Sequence, residues 1–407
     1  MSDLLWPGDH RAGGLLDDQS FLQAALELEA AWSAALVTLG IAPAGAAVSA
    51  AQLAALLPTD VLKVLGARAE ASGNPVVPLV ALLREGLDGE PGRWLHRGLT
   101  SQDVVDTALM RCATAPVEML RRELLVQVRC LVDLVETHRH TPAVARTLTQ
   151  HAVPTTVGLR AASWLSGVLD AHNDLTAVVL PVQLGGAAGT MAAAVELAGH
   201  LSDPVSAVAE ATVQVASALG LAPSTPWHTV RTSVTRLGDA ATRCTDAWGH
   251  VANDVLSAAR SEVGELSEGV GGASSTMPHK ANPTLSVLVR RAALTAPALC
   301  ATLHAAAADA TDERTAGGWH AEWSTLRVLL RRTVVAGSQT TDLLRDLVVH
   351  EDRAAELLAG ADGVGAEQQA MAALAGREPA PSYLGATDAF LQAPLARAAA
   401  VLAEARA

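Results

Sequence analysis

Residues 228–266, HTVRTSVTRLGDAATRCTDAWGHVANDVLSAARSEVGEL, decide the fold class. Apolar side chains recur at Val230, Val234, Leu237, Ala241, Cys244, Trp248, Val251, Val255 and Ala258, in steps of alternating four and three. That is a heptad seam, the pattern of nearly parallel helices packed side by side. The spacing predicts a helix of about 35 residues, about 50 Å long at 1.5 Å per residue. This exceeds the ordinary globular helix and predicts an elongated bundle.

Composition agrees. Half of the 407 residues are apolar but only 3% are aromatic, so the core must be built from Ala, Leu and Val. Ala and Leu favour helix over strand. Further long apolar-periodic segments run from about Val104 to Val135 with Pro116 inside, from Thr155 to Leu175, after Thr190, after Pro283, and from Trp319 to Val349. The expected class is all-α, in three parts: an N-terminal helical domain over 1–97, a central long-helix bundle over 98–348, and a small C-terminal helical domain over 349–407.

The formal net charge is -13, with 42 acidic and 29 basic residues and no Lys/Arg-rich block, which argues against nucleic-acid binding. An anionic substrate requires a local cluster of cations. The four cysteines, Cys112, Cys130, Cys244 and Cys300, form no metal-binding pattern and suit a reducing cytoplasm. No secretion signal opens the chain and no apolar run appears long enough to span a membrane. No metal is assigned.

Three polar stretches break the helical pattern. In LHRGLTSQDVVDTALM (95–110), Thr100 followed by Asp103 is a capping-box pattern. Thr100 and Ser101 either cap a helix or use its free N–H groups to hold a carboxylate. In ARTLTQHAVPTTVGL (145–159), Arg146, Thr149, Gln150 and His151 crowd one segment; a lone His is more often structural, but this one has polar company. The third is GGASSTMPHKANP (271–283), with adjacent serines, Lys280 and Asn282 between glycines and prolines. LGGAAGT (184–190) lacks a strand–helix setting and reads as close packing of small residues.

The third stretch resembles the GSSxMPxKxNP signature of the fumarase/aspartase superfamily, with Ala273 where Gly usually stands. The other two resemble that superfamily's remaining signature blocks in the right order. GNPVVPLV, TSQDVVDTAL, RTLTQHAVPTT, QLGGAAGT, PWHTVRT, AGGWHAEW and SYLGATDAF further resemble bacterial 3-carboxy-cis,cis-muconate cycloisomerases of aromatic degradation; adenylosuccinate lyases come next.

The resemblance implies proton transfer at a carbon next to a carboxylate, through a carbanion that cations and N–H donors stabilise. It implies Ser274 as the catalytic hydroxyl, activated by a glycine-rich loop and Lys280. It implies Lys280 and Asn282 on the reacting carboxylate, Ser275 and Met277 in the same loop, Thr100 and Ser101 at a helix start, and Thr149 and Gln150 lining the site. Arg146, Arg231 and Arg314 are candidate carboxylate clamps. The expected partners are a small polycarboxylate and three further copies in a homotetramer with shared active sites. No cofactor is implied.

One departure carries chemical weight. Several lyases of the superfamily read R-T-H where this chain reads Arg146-Thr147-Leu148, and their His assists the departing group. Leu148 cannot transfer a proton. An amine cannot leave without one, whereas a carboxylate can, because its conjugate acid has a pKa near 4. Leu148 therefore favours lactonisation of 3-carboxy-cis,cis-muconate over amine elimination. His151, three residues on, could supply a proton in its place, so a fumarate-releasing lyase is the alternative, and an inactive scaffold a remoter one.

Overall fold

The structure is a computed structural model that describes residues 3–269, 271–273, 276–277 and 280–405. After a short 3-10 turn, helices α1 (Asp18–Thr38), α2 (Ala50–Ala55), α3 (Val61–Ser72), α4 (Val76–Glu85) and α5 (Gly89–Trp94) form the N-terminal part. The long helices α6 (Ser101–Thr137) and α7 (Val157–Thr176) follow, then α8 (Ala192–Leu197), α9 (Pro204–Leu219), α10 (Thr232–Ala258), α11 (Thr284–Ala308) and α12 (Gly318–Arg345). Helices α13 (Glu351–Ala359), α14 (Ala366–Leu374) and α15 (Thr387–Glu404) close the chain. The class is all-α.

The heptad reading holds from Val234 onward: Val234, Leu237, Ala241, Cys244, Trp248, Val251, Val255 and Ala258 are all buried. Each fully buried Val or Leu contributes about 1.5–3 kcal/mol. Val230 is 63% exposed, because α10 starts only at Thr232. At mid-bundle, Trp248 donates to Gln127 Oε1 at 2.7 Å and Gln127 donates to the Gly337 carbonyl at 3.0 Å. A Cβ at Gly337 would stand 3.0 Å from the Trp248 ring, so this small residue lets α12 approach α10. Helix starts follow their caps: Thr156 accepts from Leu159 N–H, and Asp203 accepts from Ser206 N–H ahead of Pro204.

Three expectations need correction. The polar segment after α6 is an antiparallel hairpin, β1 (Pro142–Thr147) with β2 (Gln150–Thr156), and a second two-stranded sheet pairs β3 (Leu266–Glu268) with β4 (Leu347–Val349). The apolar run after Thr190 is two helices, split by residues 198–203. Helix α11 is, by length and composition, apolar enough to cross a membrane. It packs on α10 and α12 on one side, while Val287 and Leu294 on the other are 52% and 70% exposed.

Candidate active site

The candidate residues fall into three groups. The first lies at the start of α6. Thr100 is extended, and its N–H donates to Asp103 Oδ2 at 2.9 Å, one arm of a capping box. Asp103 is fully buried and also accepts from Gly185 N–H (2.9 Å), Gly186 N–H (3.0 Å) and the Gln183 amide (3.2 Å). Gly185 is required by closeness: a Cβ there would meet the His228 ring at 2.3 Å. Arg314 donates to Thr100 Oγ1 at 2.8 Å, so the structure brings Thr100, Ser101 and Arg314 together.

Arg231 belongs to the same region but in another role, and the expectation of a substrate clamp is corrected. It is 4% exposed. Nε donates to Glu322 (3.0 and 3.2 Å), Nη1 to Asp106 Oδ2 (2.7 Å) and the His228 carbonyl (3.4 Å), and Nη2 to Asp106 Oδ1 (3.0 Å) and Glu322 Oε2 (2.6 Å). All five N–H bonds have acceptors within the chain, and none remains for a ligand. Burial opposes its charge, but Asp106 and Glu322 outweigh that and hold the guanidinium above its ordinary pKa. Burial pushes the Glu322 carboxyl up while Arg231 pulls it down, and the net direction is up. Trp319 donates to Asp106 Oδ1 at 2.9 Å, and the Arg231 guanidinium lies 4.7 Å from the Trp227 ring centre. This buried network ties the starts of α6, α10 and α12 together. Asp106 and Glu322 were missed from sequence, since acidic residues on a helix normally face water; the spacing of Arg231 from each gives no signal.

The second group is the hairpin. Its two-residue turn holds Leu148 at φ 48° and Thr149 at φ 74°, as a type I′ turn demands of both central residues. Neither residue type is at ease there, and such strain is typical of functional tips. Leu148 is 96% exposed. Arg146 makes a two-pronged ion pair with the buried Glu265, at 2.9 and 3.0 Å, and Arg160 reaches the same carboxylate at 3.5 Å. Arg146 is thus largely committed within the chain. Arg146, Thr149, His151, Arg160 and Arg260 line one cavity of about 810 Å³. Gln150 donates to Thr149 Oγ1 at 3.2 Å.

The third group is the glycine-rich loop. Ser274 and Ser275 lie outside the described residues. The neck is clasped: Gly272 N–H donates to the Asn282 carbonyl at 2.7 Å and Asn282 N–H to the Gly272 carbonyl at 3.0 Å. Lys280 N–H donates to the Met277 carbonyl at 3.0 Å, and both side chains are exposed. Just before the loop, Glu268 accepts from Leu285 and Ser286 N–H at 3.0 and 2.6 Å, which satisfies the start of α11.

The groups occupy two ends of the bundle. Thr100 precedes the first turn of α6 and the hairpin follows its last, with 37 helical residues or about 55 Å between them. The Arg146–Glu265 pair ties the hairpin to β3 and hence to the loop's root. Arg314 and Thr100 meet at one end; Arg146, Thr149, His151 and the loop's clasp lie at the other.

Comparison with known proteins identifies the family. A family model described as "Lyase" matches residues 18–297. Nitrosuccinate lyase of Streptomyces davaonensis is 41% identical over 348 residues, 83% of this chain and 72% of the relative. A 3-carboxy-cis,cis-muconate cycloisomerase of Bradyrhizobium diazoefficiens is 38% identical over 83% of this chain and 74% of its own length. The crystal structure of the 3-carboxy-cis,cis-muconate lactonizing enzyme of Pseudomonas putida superposes with a TM-score of 0.81 and 26% identity, over 96% of this chain and 97% of that one. With the family model over most of its length and relatives above 30% identity, the chain belongs to the lyase family of the fumarase/aspartase superfamily.

Proposed function

We propose that this enzyme cleaves, or in reverse forms, a bond between a weakly basic anion and the carbon β to a carboxylate, with Ser274 moving the proton at the α carbon. Leu148 carries the reading. It stands at the hairpin tip, 96% exposed, at the position where the resemblance has a proton-donating His, and its side chain has no proton to give. Unless His151, which lines the same cavity as Thr149, supplies that proton, the leaving group departs as a stable anion, as a carboxylate or nitrite does and an amine does not. Ser274, Ser275 and Lys280 enter on the resemblance of their loop; Thr100, Ser101 and Arg314 supply a helix start and a cation for a carboxylate.

The first reading is elimination of nitrite from nitrosuccinate. Ser274 takes a proton from C3, the C2–N bond breaks with its electron pair going to nitrite, and fumarate remains. The 41% identical relative supports it. So does the loss of Arg231 as a clamp: Arg314 and Lys280 remain, enough for two carboxylates. The second reading is lactonisation of 3-carboxy-cis,cis-muconate, supported by the 38% identical relative and the fold likeness. It has to hold a third carboxylate, for which the cavity with Arg160 and Arg260 is the available surface. Either reading uses several copies of the chain, since Thr100 and the loop lie too far apart to serve one substrate. The exposed apolar side of α11 supports a homotetramer that covers it.

The assay offers the two substrates separately and reads nitrite by diazo coupling and the muconate by its diene absorbance. Nitrite and fumarate in equal amounts establish the first reading, and diene loss alone the second. Comparable turnover of aspartate or adenylosuccinate, whose leaving groups are amines, would refute the argument from Leu148.

A further inference from the structure

Near the Thr100 end of the bundle, on the outer side of the α10–α11 pair, three side chains of different chemistry converge. Cys300 and His304 are four residues apart on α11, so they share a face one turn apart. Asp239 reaches them from α10. Its Oδ1 lies 3.3 Å from Cys300 Sγ and 2.9 Å from His304 Nε2, and the three donor atoms all lie within 4.8 Å of one another. No other such trio of His, Cys, Asp or Glu donors occurs among the described residues. The sequence reading missed it because the Cys and His ligands lack a familiar motif and the carboxylate comes from another helix.

We propose that Asp239, Cys300 and His304 form a binding site for a borderline-soft divalent metal, zinc by the chemistry of the donors, with one coordination position left open. The donor set decides the class: a thiolate and an imidazole beside one carboxylate select zinc-like ions over magnesium or calcium. The geometry is close. Zinc bonds of about 2.0–2.3 Å give tetrahedral edges of about 3.3–3.6 Å, so the two contacts to Asp239 need to open by only a few tenths of an ångström. Access is provided by the half-exposed Asp239 and His304, while Cys300 is buried behind them. The local field suits a cation: Asp246 lies one to two turns further along α10, and the nearby Arg243 is neutralised by Asp174 at 3.0 Å. Three protein ligands leave a fourth position, for water or for a donor from outside the chain.

The competing account is a hydrogen-bonded trio in which Asp239 accepts from both neighbours and no metal binds. Cobalt(II) separates the two, because thiolate ligation produces an intense near-ultraviolet charge-transfer band that carboxylate and imidazole ligation cannot. The test titrates cobalt(II) into the full-length, tag-free chain after chelator treatment. The expected result is one cobalt per chain, the thiolate band saturating with it, and displacement by zinc. The band should vanish in Cys300→Ser, and cobalt affinity should fall at least about tenfold in Asp239→Asn and His304→Gln. No band in the parent chain, or a band that survives Cys300→Ser, overturns the proposal. If the serine variant fails to fold, affinity within twofold of the parent in both other variants overturns it equally.

Discussion

Two inactive variants should restore each other. Ser274→Ala removes the hydroxyl of the loop, and Arg314→Ala removes the cation held 2.8 Å from Thr100 Oγ1. Each should lower kcat by about 100-fold or more, the usual effect of losing a general base or a charge-stabilising donor. Arg314 belongs to the Thr100 end of the bundle and the clasp of Gly272 and Asn282 to the other, separated by about 55 Å of α6, which has 37 residues. If each active site takes its loop from one copy and its Thr100 end from another, a one-to-one mixture unfolded and refolded together assorts the lesions independently. A site then receives an intact loop with probability one half and an intact Arg314 end with probability one half. About one quarter of sites carry neither lesion, so the mixture should recover about 25% of parental turnover, some 25-fold above either variant alone. The assay is the same nitrite or diene readout, with parental chain refolded in parallel as the control for yield. A mixture that stays at the level of its components, while the control recovers, would show that both groups act within one chain and would refute the reasoning from helix length.

Other outcomes follow from single residues. Arg231→Ala would leave Asp106 and Glu322 buried without their cation, a loss of about 3–5 kcal/mol. At about 2 cal/mol/K per residue this lowers Tm by roughly 4–6 °C, whereas the exposed Arg314→Ala should move it by no more than about 1 °C; an unchanged Tm in Arg231→Ala would return Arg231 to the list of clamps. The Asp9 carboxyl is held below its ordinary pKa, first by its hydrogen bonds from Arg331. A lowered value means the pairing contributes fully above about pH 4 and is lost as pH falls through the shifted pKa, so the parent should lose more Tm on acidification below pH 4 than Asp9→Asn does. Equal acid sensitivity of the two would remove the pair from the account. Leu148→Asn should relieve the left-handed turn at no loss of buried surface and stabilise the hairpin by about 0.5–1 kcal/mol, read as slower amide exchange over residues 142–156; faster exchange would contradict it.

What the sequence made legible was what repeats. The four-three rhythm through Val234 to Ala258 located α10, and long apolar-periodic runs located α6, α7, α11 and α12, because a buried stripe must recur with the helix turn. The Thr100–Asp103 cap was legible as a local rule. Interactions that join distant segments were not. Arg231 reads as a clamp from its motif, yet its five donors are consumed by Asp106, Glu322 and the His228 carbonyl, residues up to 125 positions away. The hairpin at 142–156 was invisible because Leu148 and Thr149 lack the Asn and Gly that usually announce a two-residue turn. The Asp239–Cys300–His304 trio follows from helix pairing, which no single stretch of sequence encodes.

The clasp between Gly272 and Asn282 sets a tether length. Nine residues, 273–281, span the gap it closes. A doubled-back strand of that length extends at most about 15 Å from its base, at roughly 3.3–3.6 Å per residue. The proposed function therefore requires the substrate to lie within that radius of the clasp, and, with each site shared between copies, it makes the fit between them set the reaction distance as directly as any side chain does.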